Sequence, residues 1–289
     1  MLGGSLCAVL RRRGHEVIAT DRQPLLPETR LLDICDRPAV LELMTAAAPA
    51  LVMHLAAETD VDRCEQEPAH AYRVNAAGTE HLVAACEAAG ARLLYTSTAA
   101  VFDGEQAAPY AETDAPNPVN VYARTKLAGE VAVRRCRTGS VIVRAGWMVG
   151  GFERDKKFVG KLLRLMETQR ELSVVQDKRG SLTFTEDLAQ GIAGLIATPH
   201  TGLFHMVNQG VCTRYDIARK LVEYVGRPEI TIRPVSSAAF PLPAPRGASE
   251  AIRNVRLQAL GLDTMPPWEA SLRRYVEQYL AASRTVPAR

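Results

Sequence analysis

The chain has 289 residues, 47% hydrophobic and 23% charged, which suits a soluble globular protein with one large or two smaller cores. A net charge of +3 is too small to argue for a nucleic-acid partner, and no apolar run reaches the ~18 residues of a membrane span. The six Cys show neither a CxxC pair nor metal-ligand spacing, so they read as reduced thiols of a cytoplasmic protein with no metal site.

In chain order, Leu6, Val9 and Leu10 mark an amphipathic helix directly after Met1-Leu2-Gly3-Gly4. The apolar stretch precedes Arg11 to Arg13, the reverse of a signal peptide. Glu16 to Thr20 reads as a strand ending at Asp21. Ala50 to Leu55 is a continuous apolar run, expected of a parallel strand covered on both faces. Ala76 to Ala89 reads as a helix stopped by Gly90, Arg92 to Ser97 as a strand, Asn120 to Arg135 as a helix, and Ser140 to Arg144 as a strand. Beyond Gly151 the pattern loosens to a helix over Phe158 to Met166 and a short strand over Leu172 to Val175. A Pro-rich loop or extended stretch follows from Pro234 to Pro245, then a helix from Trp268 to Leu280 and a frayed tail from Ser283.

The repeated strand-helix order implies an α/β fold with a doubly wound parallel sheet, Rossmann-like. Residues 1–150 would form the dinucleotide-binding domain, with part of 181–212 returning to it, and 151–289 mainly a smaller substrate-binding lobe. Such a unit ordinarily opens with a strand and a Gly-x-x-Gly turn. Here Gly3 reads as the last glycine of that fingerprint, with the first strand missing. The expectation is that translation starts about ten residues upstream, or that the chain folds poorly and holds its cofactor weakly, because two strands would keep unpaired backbone groups costing about 1–3 kcal/mol each.

Tyr122-Ala123-Arg124-Thr125-Lys126 carries the strongest chemical signal. Positions i and i+4 share a helix face, so phenol and ammonium can enter one cleft. A nearby cation lowers a phenol pKa, and such a Tyr can protonate the alkoxide formed when hydride reaches a carbonyl carbon. Thr98, at the end of the Arg92 strand, lies where open α/β sheets bind ligands; it can hydrogen-bond a carbonyl or simply cap a turn. His54 reads as a satisfied core histidine, while Leu55, Ala56 and Ala57 would let a cofactor approach the backbone. Asp21, eighteen residues after Gly3, sits near the position of an acid that bonds the adenosine ribose, and Arg22 could instead accept a 2′-phosphate. NADH and NADPH both stay open. The scattered Arg are solvated surface, apart from any that meet a phosphorylated ligand.

Together these pieces resemble the extended short-chain dehydrogenase/reductase superfamily, and within it the dTDP-4-dehydrorhamnose reductases. The resemblance covers nearly the whole chain. It is carried by Met1 to Gly3, Asp33-Ile34, His54 to Asp62, Val74 to Thr79, Ser97 to Gly104, Tyr122 to Lys126 with Gly129-Glu130, and Gly146-Trp147. In the second half, Lys157 to Val159, Val174 to Thr183, Glu186 to Ala189 and Pro245-Arg246 also fit. The resemblance implies that Tyr122 is the general acid, that Lys126 orients the nicotinamide ribose, and that Thr98 completes the triad. It implies that Asp33 and Ile34 lie by the adenine, and that Thr59, Val61, Trp147 and Arg246 bind substrate. The implied reaction is NADPH- or NADH-dependent reduction of the C4 keto group of a nucleotide-linked 6-deoxysugar, for dTDP-L-rhamnose.

The sequence departs from the family at Ala99-Ala100, where Asp-Tyr is common, and at Gly247, where Pro is common. Both departures bear on the sugar, not on the hydride chemistry. Two other readings remain open: an epimerase or dehydratase on the same scaffold, and a non-catalytic subunit resembling the regulator of methionine adenosyltransferase. A homodimer is a compatible assembly; nucleic acid and membrane are not expected partners.

Overall fold

The computed structural model describes residues 1–23, 28–152 and 155–285. In chain order the elements are α1 (Leu2–Arg12), β1 (Thr20–Asp21), β2 (Arg30–Leu31), α2 (Arg37–Ala47), β3 (Leu51–His54), α3 (Val61–Gln66), α4 (Pro68–Tyr72), α5 (Gly78–Ala89), β4 (Arg92–Thr98), α6 (Val121–Arg134), β5 (Ser140–Ala145) and β6 (Trp147–Val149). They continue with α7 (Phe158–Thr168), β7 (Glu171–Val175), β8 (Arg179–Gly180), β9 (Leu182–Phe184), α8 (Thr185–Ile196), β10 (Gly202–His205), β11 (Cys212–Thr213), α9 (Arg214–Val225), β12 (Thr231–Val235), β13 (Ser249–Glu250), α10 (Val255–Ala259) and α11 (Trp268–Thr285).

The main sheet runs β10-β5-β4-β3, all parallel. Side chains alternate across β4, as the two-residue strand period requires. Leu94 points into a core with Leu6 and Leu10 of α1 and Leu188 and Ile192 of α8. Leu93 and Tyr95 point into another, with Val40 and Met44 of α2, Leu82 of α5 and Val133 of α6. Helices thus cover both faces of a parallel sheet, the doubly wound Rossmann-like arrangement. A third core gathers α7, β7, α9, β12 and α11 around Leu163, Leu172, Ile217, Leu221 and Leu272.

Two features near the N-terminus differ from expectation. Of Glu16 to Asp21 only Thr20–Asp21 is strand, paired with Arg30–Leu31 in a separate two-stranded sheet. Among the described residues strand β3 pairs only with β4, so Leu51, Val52 and Met53 are half-buried rather than covered on both faces. Residues 16–20 and 51–54 line one and the same cavity. A strand is defined by its ladder, and neither segment finds a partner across that space.

Elsewhere the differences are small. Gly90, at φ 67, ends α5 as expected, but the helix is entered through a wide turn over Arg73–Ala77. Pro234 lies inside β12, a strand that among the described residues pairs only with β7 and so tolerates a residue without an N–H. Helix α11 continues to Thr285, past the expected tail boundary; residues 286–289 of that tail lie outside the described residues. No helix of the described residues is long and apolar enough to cross a membrane, and no group of three or more His, Cys, Asp or Glu is placed to hold a metal.

Candidate active site

The loops after β3, β4 and β5 open into one cavity of about 2050 Å³. Ligand sites commonly span 300–1,000 Å³, so this space exceeds one drug-sized ligand. On the side of β1 and α1 it is lined by Gly3, Asp21, Arg22, Asp33, Ile34 and Leu55 to Ala57. Farther along it is lined by Thr59, Val61, Thr98, Tyr122, Lys126, Trp147 and Arg246. The fold therefore brings every sequence-nominated residue to a single space.

Helix α6 sets the centre. Asn120 caps it, its Oδ1 accepting from Ala123 N at 2.9 Å while its Nδ2 donates to Pro245 O at 3.0 Å. Tyr122 and Lys126 then fall one turn apart on the cavity side. Burial pushes the Tyr122 phenol up to about 12, opposed by its hydrogen bond with Thr98. The expected depression by Lys126 does not emerge, because burial is the largest influence, and the phenol keeps its proton at neutral pH. Burial pulls Lys126 down to about 7, partly offset by Glu130. Thr98 also acts as a cap, its Oγ1 accepting from Ala100 N at 3.1 Å.

Lys126 rests on an aromatic floor. Its Nζ lies 4.1 Å from the centre of the Tyr95 ring, and Tyr95 Oη donates to Lys126 O at 3.2 Å. Gly129 makes this fit possible, since a Cβ there would lie 2.4 Å from Tyr95 Oη. The Lys126 ammonium makes no hydrogen bond within the described residues and faces the cavity, leaving its three donors for a ligand hydroxyl. Beneath, fully buried Glu130 accepts from Arg144 at 2.7 and 2.8 Å and from Ser97 at 2.6 Å.

The loop after β3 is held by Asn75. Its Oδ1 accepts from Glu58 N at 2.8 Å, and its Nδ2 donates to Glu58 O at 3.1 Å and Thr125 Oγ1 at 2.9 Å. His54 is buried and meets Thr79 Oγ1 at 2.9 Å, but its Nδ1 has no partner in the described residues, so it is only half satisfied. Burial lowers its pKa to about 3, so the ring stays neutral. Asp21 accepts from Gln23 N at 3.1 Å and, like Arg22, is exposed at the rim. Asp33 accepts from Cys35 N at 2.9 Å, which holds its carboxyl below its usual value. A Cβ on Gly3 would meet only Leu55 Cδ1, at 3.7 Å, so nothing in the described protein demands a glycine there.

On the far side, Lys157 Nζ reaches Thr59 Oγ1 at 3.5 Å and Arg246 pairs with Asp62 at 3.0 Å. Val61 begins α3, whose cap is Asp60. Trp147 Nε1 donates to Glu250 Oε2 at 2.8 Å, and its indole packs so closely on Gly180 that a Cβ there would lie 2.5 Å from it. Sequence reading passed over Tyr95, Arg144, Lys178 and Arg214. Arg144 sits in a strand and Arg214 at a helix start, and nothing local separates them from the surface Arg.

A parallel sheet wound on both faces, with a Tyr-x-x-x-Lys helix lining a cavity larger than one drug-sized ligand, defines a Rossmann-like enzyme of the short-chain dehydrogenase/reductase type. The chain belongs to the RmlD substrate binding domain family, which it matches over residues 1–281. It is 38% identical to a dTDP-4-dehydrorhamnose reductase of Mycobacterium tuberculosis, covering 94% of this chain and 88% of that one. A dTDP-4-dehydrorhamnose reductase of Streptomyces griseus is 37% identical, with 94% and 88% coverage. Among solved structures, the Bacillus anthracis dTDP-4-dehydrorhamnose reductase in complex with NADP superposes with a TM-score of 0.89 at 32% identity, covering 96% of this chain and 95% of that one.

Proposed function

We propose that this chain is an NAD(P)H-dependent reductase of the C4 keto group of a nucleotide-linked 6-deoxysugar, in the manner of the dTDP-4-dehydrorhamnose reductases it resembles. The observation that carries the reading is the convergence of Thr98, Tyr122 and Lys126 on one cavity at the C-terminal end of β4. The residues present fit a nicotinamide dinucleotide: Lys126 offers unengaged donors, the Ala56-Ala57 backbone is lined by no bulky side chain of its own, and Asp21 or Arg22 stands at the ribose end.

When bound, the cofactor supplies hydride to the carbonyl carbon. Tyr122 holds the phenolic proton that the carbonyl oxygen needs, and the Thr98 hydroxyl acts on that phenol to lower its pKa. Lys126 orients the nicotinamide ribose from its seat on Tyr95. Asp33 and Ile34 sit at the adenine, while Thr59, Val61, Trp147 and Arg246 face the sugar nucleotide. Residues 1–150, rejoined by part of 181–212, make the cofactor half and 151–289 mainly the substrate lobe. Assembly as a homodimer and a cytoplasmic location complete the reading; free thiols on all six Cys suit a reducing compartment.

The test is turnover of a dTDP-4-keto-6-deoxyhexose by the purified chain with NADPH and NADH. One cofactor oxidised per sugar reduced supports the reading. Sugar conversion with no net cofactor oxidation would replace it with an epimerase or dehydratase.

A further inference from the structure

Arg214 opens α9, directly after Thr213, whose hydroxyl caps the helix. Its guanidinium carbon lies 3.9 Å from the centre of the Trp147 ring and 4.8 Å from that of Phe158. The side chain is half-buried and lines the cavity. Burial pulls its pKa down to about 10, still a full charge at neutral pH. Yet the guanidinium makes no hydrogen bond or ion pair with any described residue. Glu250 is within electrostatic reach, but its Oε2 accepts from Trp147 Nε1 at 2.8 Å and it forms no ion pair with Arg214.

Two further cations that line the cavity pair with no carboxylate among the described residues. Lys178 Nζ donates to Arg246 O at 3.0 Å, and Lys157 Nζ to Thr59 Oγ1 at 3.5 Å. The neighbouring Arg246, by contrast, is matched by Asp62 at 3.0 Å. A charge withdrawn from water is costly unless acceptors replace the lost hydration. Stacking against aromatic rings supports a guanidinium through its face and leaves the donors at its edge free. An arginine so held, in a cavity that two lysines also line, is suited to receive an anion.

We propose that Arg214 is a specificity-determining residue that donates from this aromatic seat to an anionic oxygen of the bound nucleotide sugar, with Lys157 and Lys178 adding positive potential. The assignment rests on the nucleotide-sugar reading of the cavity. On a 6-deoxysugar nucleotide, which has no sugar carboxylate, the anion is a phosphoryl oxygen of the diphosphate; a hexuronate ligand tests a sugar carboxylate as the other source.

The test is calorimetric titration of the full chain and of its Arg214→Gln and Arg214→Lys variants with thymidine, dTDP, a nucleoside-diphosphate hexose and the matching hexuronate. Arg214→Gln is expected to weaken dTDP by about 10- to 100-fold, as for a charge-assisted hydrogen bond, and to leave thymidine and NADPH unchanged. Arg214→Lys should recover part of the loss. Equal losses for hexose and hexuronate assign the diphosphate; an added loss confined to the hexuronate assigns the sugar carboxylate. Should the Gln variant misfold, the Lys variant and the salt dependence of wild-type binding carry the same comparison, with dTDP weakened by salt and thymidine not. Wild-type affinity for dTDP and hexuronate in Arg214→Gln, equal loss of thymidine and dTDP, or no binding of any of these nucleotides to the wild-type chain would overturn the proposal. Turnover of keto sugar is read separately. Arg214-dependent dTDP binding without turnover removes the reductase reading and keeps the anion site, whereas turnover with a KM indifferent to Arg214 does the reverse.

Discussion

Arg144 Nη2 meets Glu130 Oε2 at 2.7 Å with both side chains fully buried, and Ser97 donates to the other carboxylate oxygen at 2.6 Å. The pair ties β5 to α6 directly beneath Lys126. Removing Glu130 leaves Arg144 buried without a carboxylate, and removing Arg144 leaves buried Glu130 with the exposed Arg134 at 3.4 Å as its remaining ion pair among the described residues. Glu130→Ala or Arg144→Ala should therefore destabilise the chain by about 3–5 kcal/mol, read as a shift of the urea midpoint at constant slope. A midpoint within error of wild type would show that water reaches the pair.

Gly129 is the contact through which α6 approaches β4. A Cβ there would lie 2.4 Å from Tyr95 Oη and 3.0 Å from Asn75 O. Gly129→Ala should cost about 1–3 kcal/mol by overpacking and lower kcat, since the ring under Lys126 must move. A Gly129→Ala enzyme with unchanged Tm and kcat would contradict the tight approach.

Tyr122→Phe removes the proton donor and little volume. Turnover should fall by at least about 10²-fold, while NADPH affinity, measured by nicotinamide fluorescence, stays within about twofold. An active Phe variant would reassign the acid.

Lys126 has a folded pKa of about 7 against an ordinary 10.5, lowered chiefly by burial. Between these values the unfolded chain binds more protons than the folded one, so stability rises with pH across that window and the burial penalty is full below pH 7. Lys126→Met should flatten this slope in a series of denaturant titrations. The same burial means that any rate needing the ammonium falls as pH passes upward through the Lys126 pKa.

Arg22 stands exposed at the rim beside Asp21. Arg22→Ala should weaken NADPH about five- to tenfold more than NADH, because only NADPH carries the 2′-phosphate. Equal effects on the two cofactors would leave Arg22 out of the site.

The sequence by itself determined the wound α/β order, because alternating apolar runs and 3.6-residue patterns are local and strong over Ala76 to Arg144. It determined the Tyr122 and Lys126 pair as well, since four residues on a helix is one turn wherever the helix lies. Local pattern failed at Glu16 to Asp21, since strand propensity yields a strand only where a neighbour supplies the ladder. Only the tertiary structure decided which charges matter. Arg144 is neutralised in the core and Arg214 is seated on Trp147 and Phe158, yet in sequence both are ordinary arginines among many. Burial and partners are set by residues 14 to 67 positions away, and no local pattern encodes them. The rise of the Tyr122 pKa has the same origin, for the desolvation that outweighs its neighbours belongs to the walls of the cavity and not to the helix that carries it.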